Sequence, residues 1–167
     1  MSVAVPIRPE AEDAREWGDL APSERERSLD EAMELIHFAF RRVVEAPDRA
    51  LAKRGMGRLH HRLLYVVGKN PGIDIGHTCE LLGITKQATH GPLRDLLEAD
   101  LVEVVRPAED RRRKTLSLTA EGERFERHLA ALQHEVFAEA FQRCGADAVE
   151  GWREVMDTLG AGRRLRL

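Results

Sequence analysis

The sequence predicts a mainly α (α+β) fold. Its centre is a helix-turn-helix followed at once by a β-hairpin, a winged helix-turn-helix, set between long N- and C-terminal helices. Three observations predict it. Apolar residues recur at spacings of three and four over most of the chain. A tight Gly83-Ile84-Thr85 turn separates two such runs. Directly behind the second run, two alternating β-rich segments flank one short polar loop.

The elements follow in order. Residues 1–22 hold three of the seven prolines and no sustained period, so they read as a mostly disordered extension with a short helix around Trp17. Ser23 with Glu26 forms a capping-box pattern, as does Ser28 with Glu31. Leu29, Met33, Ile36, Phe40 and Val43/Val44 then mark an amphipathic helix expected to end near Pro47, with 48–54 continuing or restarting it. A second helix spans 58–69, with Leu59, Leu63, Val66 and Val67 on one side, and Asn70-Pro71-Gly72 stops it. One very short strand falls at 73–75. A short helix over 77–82 ends at Gly83, a natural C-cap.

Thr85 is placed to cap the next helix, 86 to about 99, whose inward residues are Leu93, Leu96 and Leu97. Strands are expected at 101–105 and 114–118, joined by the polar loop Arg106-Pro107-Ala108-Glu109-Asp110-Arg111-Arg112-Arg113. Thr119 caps a long helix carrying Phe125, Leu129, Leu132, Val136, Ala140 and Phe141, and Gly145 breaks it. Val149, Trp152, Val155, Met156 and Leu159 mark a last short helix before a basic tail. The expected division is therefore 1–22 extension, 23–56 N-terminal helix, 57–118 winged helix-turn-helix, 119–160 C-terminal helices and 161–167 basic tail.

Composition bounds the function. The chain has 167 residues, 43% hydrophobic and 33% charged, with a net charge of −3. No stretch is long and apolar enough for a membrane span, and the N-terminus turns acidic too early for a signal peptide. Cys79 and Cys144 are too few for a disulfide framework, which fits a reducing cytoplasm. No nucleophile elbow, phosphate-binding loop, dinucleotide fingerprint or HExxH motif occurs, so no enzymatic activity is expected. His60 and His61 are adjacent and His128 and His134 are six apart, which suits no metal, and no cofactor is expected.

Charge is unevenly spread. Residues 10–34 hold ten acidic against three basic residues, while 53–69 hold five cations and no acid. Residues 106–114 hold five basic and two acidic residues, four of the cations consecutive. Such runs are usually solvated faces, but here a docking element accompanies them. A helix of the 86–99 kind fits the major groove of double-stranded DNA, and a cationic hairpin tip can straddle the backbone.

At this point the sequence resembles the MarR family of winged-helix regulators, from about residue 57 to residue 122 and in its flanking helices. The most specific piece is Asp110-Arg111-Arg112-Arg113-Lys114-Thr115-Leu116-Ser117-Leu118-Thr119-Ala120-Glu121-Gly122, which looks like the family's wing running into its next helix. Supporting pieces are Glu80 to Thr85 and Leu93 to Val102. The resemblance implies that Arg112 enters the minor groove, oriented by Asp110. Arg111, Arg113 and Lys114 then become phosphate contacts.

Helical rotation points Gln87, Gly91, Arg94, Asp95 and Glu98 outward and puts His90 at the boundary. Gln87 and His90 are the candidates for base edges. Arg94 either reads a guanine or holds a phosphate, and Thr85 and Lys86 sit where helix N–H groups favour phosphate. Thr89 faces inward. Gly91-Pro92 departs from the family pattern, and the interior proline predicts a kink.

The terminal helices are apolar on faces that a small domain cannot cover alone, so a homodimer is expected, reading a pseudo-palindromic operator. The resemblance also implies such a dimer, a repressor relieved by a small aromatic or anionic effector bound around residues 38–42 and 56–65. Arg58, His60 and His61 either meet that effector or join the basic surface. The alternative function is a winged-helix protein–protein interaction module without DNA binding.

Overall fold

The computed structural model describes residues 23–107 and 114–160. Its element order is α1 (Glu24–Ala52), α2 (Arg58–Lys69), β1 (Ile73–Asp74), α3 (Ile75–Leu82), α4 (Lys86–Glu98), β2 (Val102–Val105), β3 (Thr115–Leu118), α5 (Ala120–Cys144) and α6 (Ala146–Leu159). Met1–His37 and Phe38–Leu167 are separate units.

In the first unit, α1 begins with the expected capping box. The Glu26 backbone N–H donates to Ser23 Oγ at 3.2 Å, and the Ser23 N–H returns to Glu26 Oε2 at 2.7 Å. These bonds to Ser23 hold the Glu26 carboxyl below its usual pKa.

The second unit corrects one expectation. α1 does not end near Pro47 but runs through it to Ala52. Val44, Pro47 and Leu51 are all buried and lie at spacings of three and four. A proline ring there costs one backbone hydrogen bond but joins the apolar stripe that the core covers.

The remaining elements build one core around α2. Leu63, Leu64, Val66 and Val67 of α2 meet Leu51, Ile73, Leu82, Leu93, Leu96, Leu101, Val102, Leu116, Phe125 and Leu129. The strands form an antiparallel sheet in the order β1-β3-β2. Ile73 pairs with Leu116, while the hairpin runs from Val102 opposite Leu118 to Val105 opposite Thr115. That register ends the described ladder at Val105 opposite Thr115.

Caps explain the boundaries. Asp74 accepts the His77 N–H at α3, Thr85 the Ala88 N–H at α4, and Thr119 the Gly122 N–H at α5. Gly83 ends α3 with a φ of 64°, the left-handed conformation that glycine adopts without a Cβ penalty. At the end of α4 a non-glycine residue, Asp100, takes that role with a φ of 53°. The Leu101 N–H then reaches back to the Leu96 carbonyl at 3.0 Å. The Leu101 carbonyl packs so closely on Gly122 that a Cβ there would overlap it. This backbone contact is the physical reason for glycine three residues after Thr119.

Candidate nucleic-acid interface

α4 presents two unlike faces. Thr89, Leu93 and Leu96 are buried. Lys86, Gln87, His90 and Arg94 are exposed, as is Thr85 at the cap. Lys86, Gln87, His90 and Arg94 sit at positions that fall on one side of the helix, and Thr85 lies at its N-terminal end. The helix is continuous from Lys86 to Glu98 with Pro92 inside it, so one register carries all of them.

The helix-turn-helix is closed by a small buried polar link. Thr89 Oγ1 donates to the Thr85 carbonyl at 2.9 Å. Its hydroxyl proton is thus committed, and the Cys79 thiol, 3.2 Å away, is left as the donor to Thr89 Oγ1. Cys79 is buried and Cys144 exposed.

Two side chains of α2 hold the motif from behind. Arg62 Nη2 donates to the Leu82 carbonyl at 2.7 Å, satisfying the C-terminal end of α3. His60 Nε2 lies 3.2 Å from Asp95 Oδ2 on α4. Asp95 was expected to point outward with Arg94; instead it turns to α2 and is only partly exposed. Gly91, also expected outward, is half-buried. Nothing in local spacing signals the His60–Asp95 pair, because its members are 35 positions apart.

Arg54 and Arg58 of the basic run have partners too. Arg58 Nε donates to Asp48 Oδ2 at 2.8 Å, with its guanidinium 5.3 Å from the Phe40 ring centre. Arg54 donates to Glu121 Oε1 at 3.1 Å and stacks over the Phe125 ring at 4.2 Å. Arg124 first, and Arg54 after it, hold the Glu121 carboxyl below its usual pKa. His61 is half-buried, and this burial lowers its pKa against the opposing pull of Asp48.

On the hairpin, Lys114 is exposed and immediately precedes Thr115, which closes the ladder opposite Val105. Asp110, Arg111, Arg112 and Arg113 lie outside the described residues, as do residues 1–22 and 161–167.

A helix-turn-helix with an exposed polar face on its second helix and a hairpin directly behind defines a winged helix DNA-binding module. The MarR family model matches residues 54–113. The chain is also 33% identical over 134 residues to the HTH-type transcriptional regulator PetP of Rhodobacter capsulatus, covering 80% of this chain and 81% of that one. It belongs to the MarR family and is a DNA-binding transcription regulator, not an enzyme.

Solved structures share the fold. CouR from Rhodococcus jostii RHA1, bound to p-coumaroyl-CoA, gives a TM-score of 0.65 at 19% identity, over 83% of this chain and 97% of that one. The MarR family transcription regulator SP03579 gives 0.69 at 18% identity, over 81% and 89%. Among the described residues, no helix is long and apolar enough to cross a membrane.

Proposed function

We propose that the chain is a homodimeric, sequence-specific repressor that reads a pseudo-palindromic operator. The carrying observation is the exposed polar face of α4 opposite its buried Thr89-Leu93-Leu96 face. In this reading α4 enters the major groove. Gln87 and His90 meet base edges, and Arg94 meets a guanine or a phosphate. Thr85 and Lys86 bind phosphate at the helix N-terminus. Arg112 enters the adjacent minor groove, oriented by Asp110, with Arg111, Arg113 and Lys114 on phosphates.

Residues 57–118 are then the DNA-binding part, and 23–56 and 119–160 the dimerising parts. Uncovered apolar surface supports the dimer. In the first unit Met33 is 72% exposed and Leu29 and Ile36 share its side of α1; in the second, Phe40 is exposed. Trp152, Val155 and Leu159 of α6 are exposed as well. A two-fold axis would space the α4 copies by roughly one DNA turn, about 34 Å.

Relief of repression by a small aromatic or anionic effector is consistent with CouR, which was solved with p-coumaroyl-CoA. Around residues 38–42 and 56–65, the exposed Phe40 ring beside Arg58 offers an aromatic and a cationic surface. An effector preferring one arrangement of the two subunits would shift the spacing of the α4 copies.

Arg112→Ala tests the reading on a duplex selected from a random pool with the unaltered protein. Affinity is expected to fall by roughly 1–3 kcal/mol, with unchanged melting and two chains per duplex. Full affinity at physiological salt, or one chain per duplex, would refute it.

A further inference from the structure

The polar bridge between α2 and α4 offers more than packing. His60 Nδ1 accepts the Gly57 backbone N–H at 3.0 Å. A ring nitrogen that accepts carries no proton, so the proton of the neutral ring is assigned to Nε2, which donates to Asp95 Oδ2 at 3.2 Å. Both nitrogens are committed, and the side chain is only 12% exposed. The ring is therefore a strut from the start of α2 to the last turn of α4.

Asp95 passes the constraint on. Its other oxygen, Oδ1, lies 3.6 Å from Arg94 Nη2. Arg94 Nε lies 3.6 Å from Glu98 Oε1 one turn further along. The guanidinium thus rests between two carboxylates, one of them anchored to α2. A free arginine side chain gives up rotamer entropy when it is ordered. One already directed by charged neighbours loses less on binding, and its planar fork meets a target in a preset direction.

We propose that His60 and Asp95 are positioning residues for Arg94. His60 fixes Asp95, and Asp95 with Glu98 fixes the direction in which Arg94 leaves α4. Discrimination between DNA sequences then depends on a residue of α2 that touches no nucleotide. This inference rests on Arg94 being a DNA contact. It also differs in sign from simple electrostatics: a carboxylate beside a polyanion repels it, so deleting Asp95 should by charge alone tighten binding.

The test measures affinity of the full-length chain for two probes, the selected duplex and a random-sequence duplex of equal length. Asp95→Ala is expected to lower the selected-to-random affinity ratio about tenfold although it removes a negative charge. His60→Ala is expected to do the same, and neither change should have any effect in an Arg94→Ala background. Asp95→Asn, whose oxygen can still take the Nε2 proton but whose amide N–H then faces Arg94, should lose most of the ratio as well.

Thermal melting monitors the fold, and His60→Gln replaces His60→Ala if the latter melts early. Tighter binding of both duplexes by Asp95→Ala at an unchanged ratio would overturn the proposal. So would a His60 effect that persists without Arg94. If Arg94→Ala alone leaves the ratio intact, the Arg94 contact itself is wrong, a failure visible in that single variant.

Discussion

α2 and α4 make an instructive pair. The turn before α2 and α2 itself carry the denser cationic run, Lys53, Arg54, Arg58, Arg62 and Lys69. Yet Arg54 answers Glu121, Arg58 answers Asp48, Arg62 holds a backbone carbonyl and Lys69 lies 5.8 Å from the Tyr65 ring centre. Among the described residues Lys53 alone of that run carries no such partner; Lys86 of α4 and Lys114 of the hairpin also carry no ion pair, and Arg94 is paired only within α4, at 3.6 Å. Charge density along the chain is thus a poor map of charge offered to a polyanion. In the proposed reading, α2 is the frame that spends its cations on the fold, and α4 is the surface that meets DNA.

That contrast breaks if the two helices respond alike to losing a cation. Arg62→Ala leaves the Leu82 carbonyl without its charged donor and should lower stability by roughly 1–3 kcal/mol. DNA binding should fall only as far as the folded fraction does. Loss of DNA affinity at an unchanged melting temperature would instead make Arg62 part of the reading surface. Lys86→Ala should behave oppositely and more mildly. Melting stays put, both duplexes lose about 1 kcal/mol of affinity, and the slope of log affinity against log salt becomes shallower by about one. A titration series over salt concentration decides it, and an unaltered slope would remove Lys86 from the phosphate contacts.

What could be read from the sequence divides by the range of the interaction. The caps at Ser23, Asp74, Thr85 and Thr119 act over three residues, so for Ser23, Thr85 and Thr119 side-chain chemistry and spacing sufficed to place a helix start. Gly83 was legible as a C-cap for the same reason, while Asp100, doing a similar job in the left-handed region, carries no comparable signal. Pro47 misled because a proline stops a helix only when nothing else rewards continuing it. Here burial between Val44 and Leu51 does. Asp95 misled because helical rotation gives a direction from the axis but says nothing of a histidine arriving from another helix. At the hairpin, the residues carrying the most specific family signal, Asp110 to Arg113, fall outside the described residues, so their roles rest on the resemblance and on family membership.

The smallest effect separates the two adjacent histidines of α2. His61 owes its perturbation mainly to burial, which disfavours the charged ring and lowers its pKa from the ordinary 6.5, while Asp48 pulls the other way. A folded-state pKa below the unfolded one means that the unfolded chain takes up the proton first. This contribution to stability is therefore complete above about pH 6.5 and is lost as the pH falls through the ordinary value toward the lowered one. Melting temperature should drift downward over that window. His61→Gln, neutral throughout, should flatten the drift without touching the His60–Asp95 bridge or the DNA affinity ratio. If the variant and the parent lose stability in parallel between pH 7 and 5, the titrating group lies elsewhere. The frame helix would then owe none of its acid sensitivity to this ring.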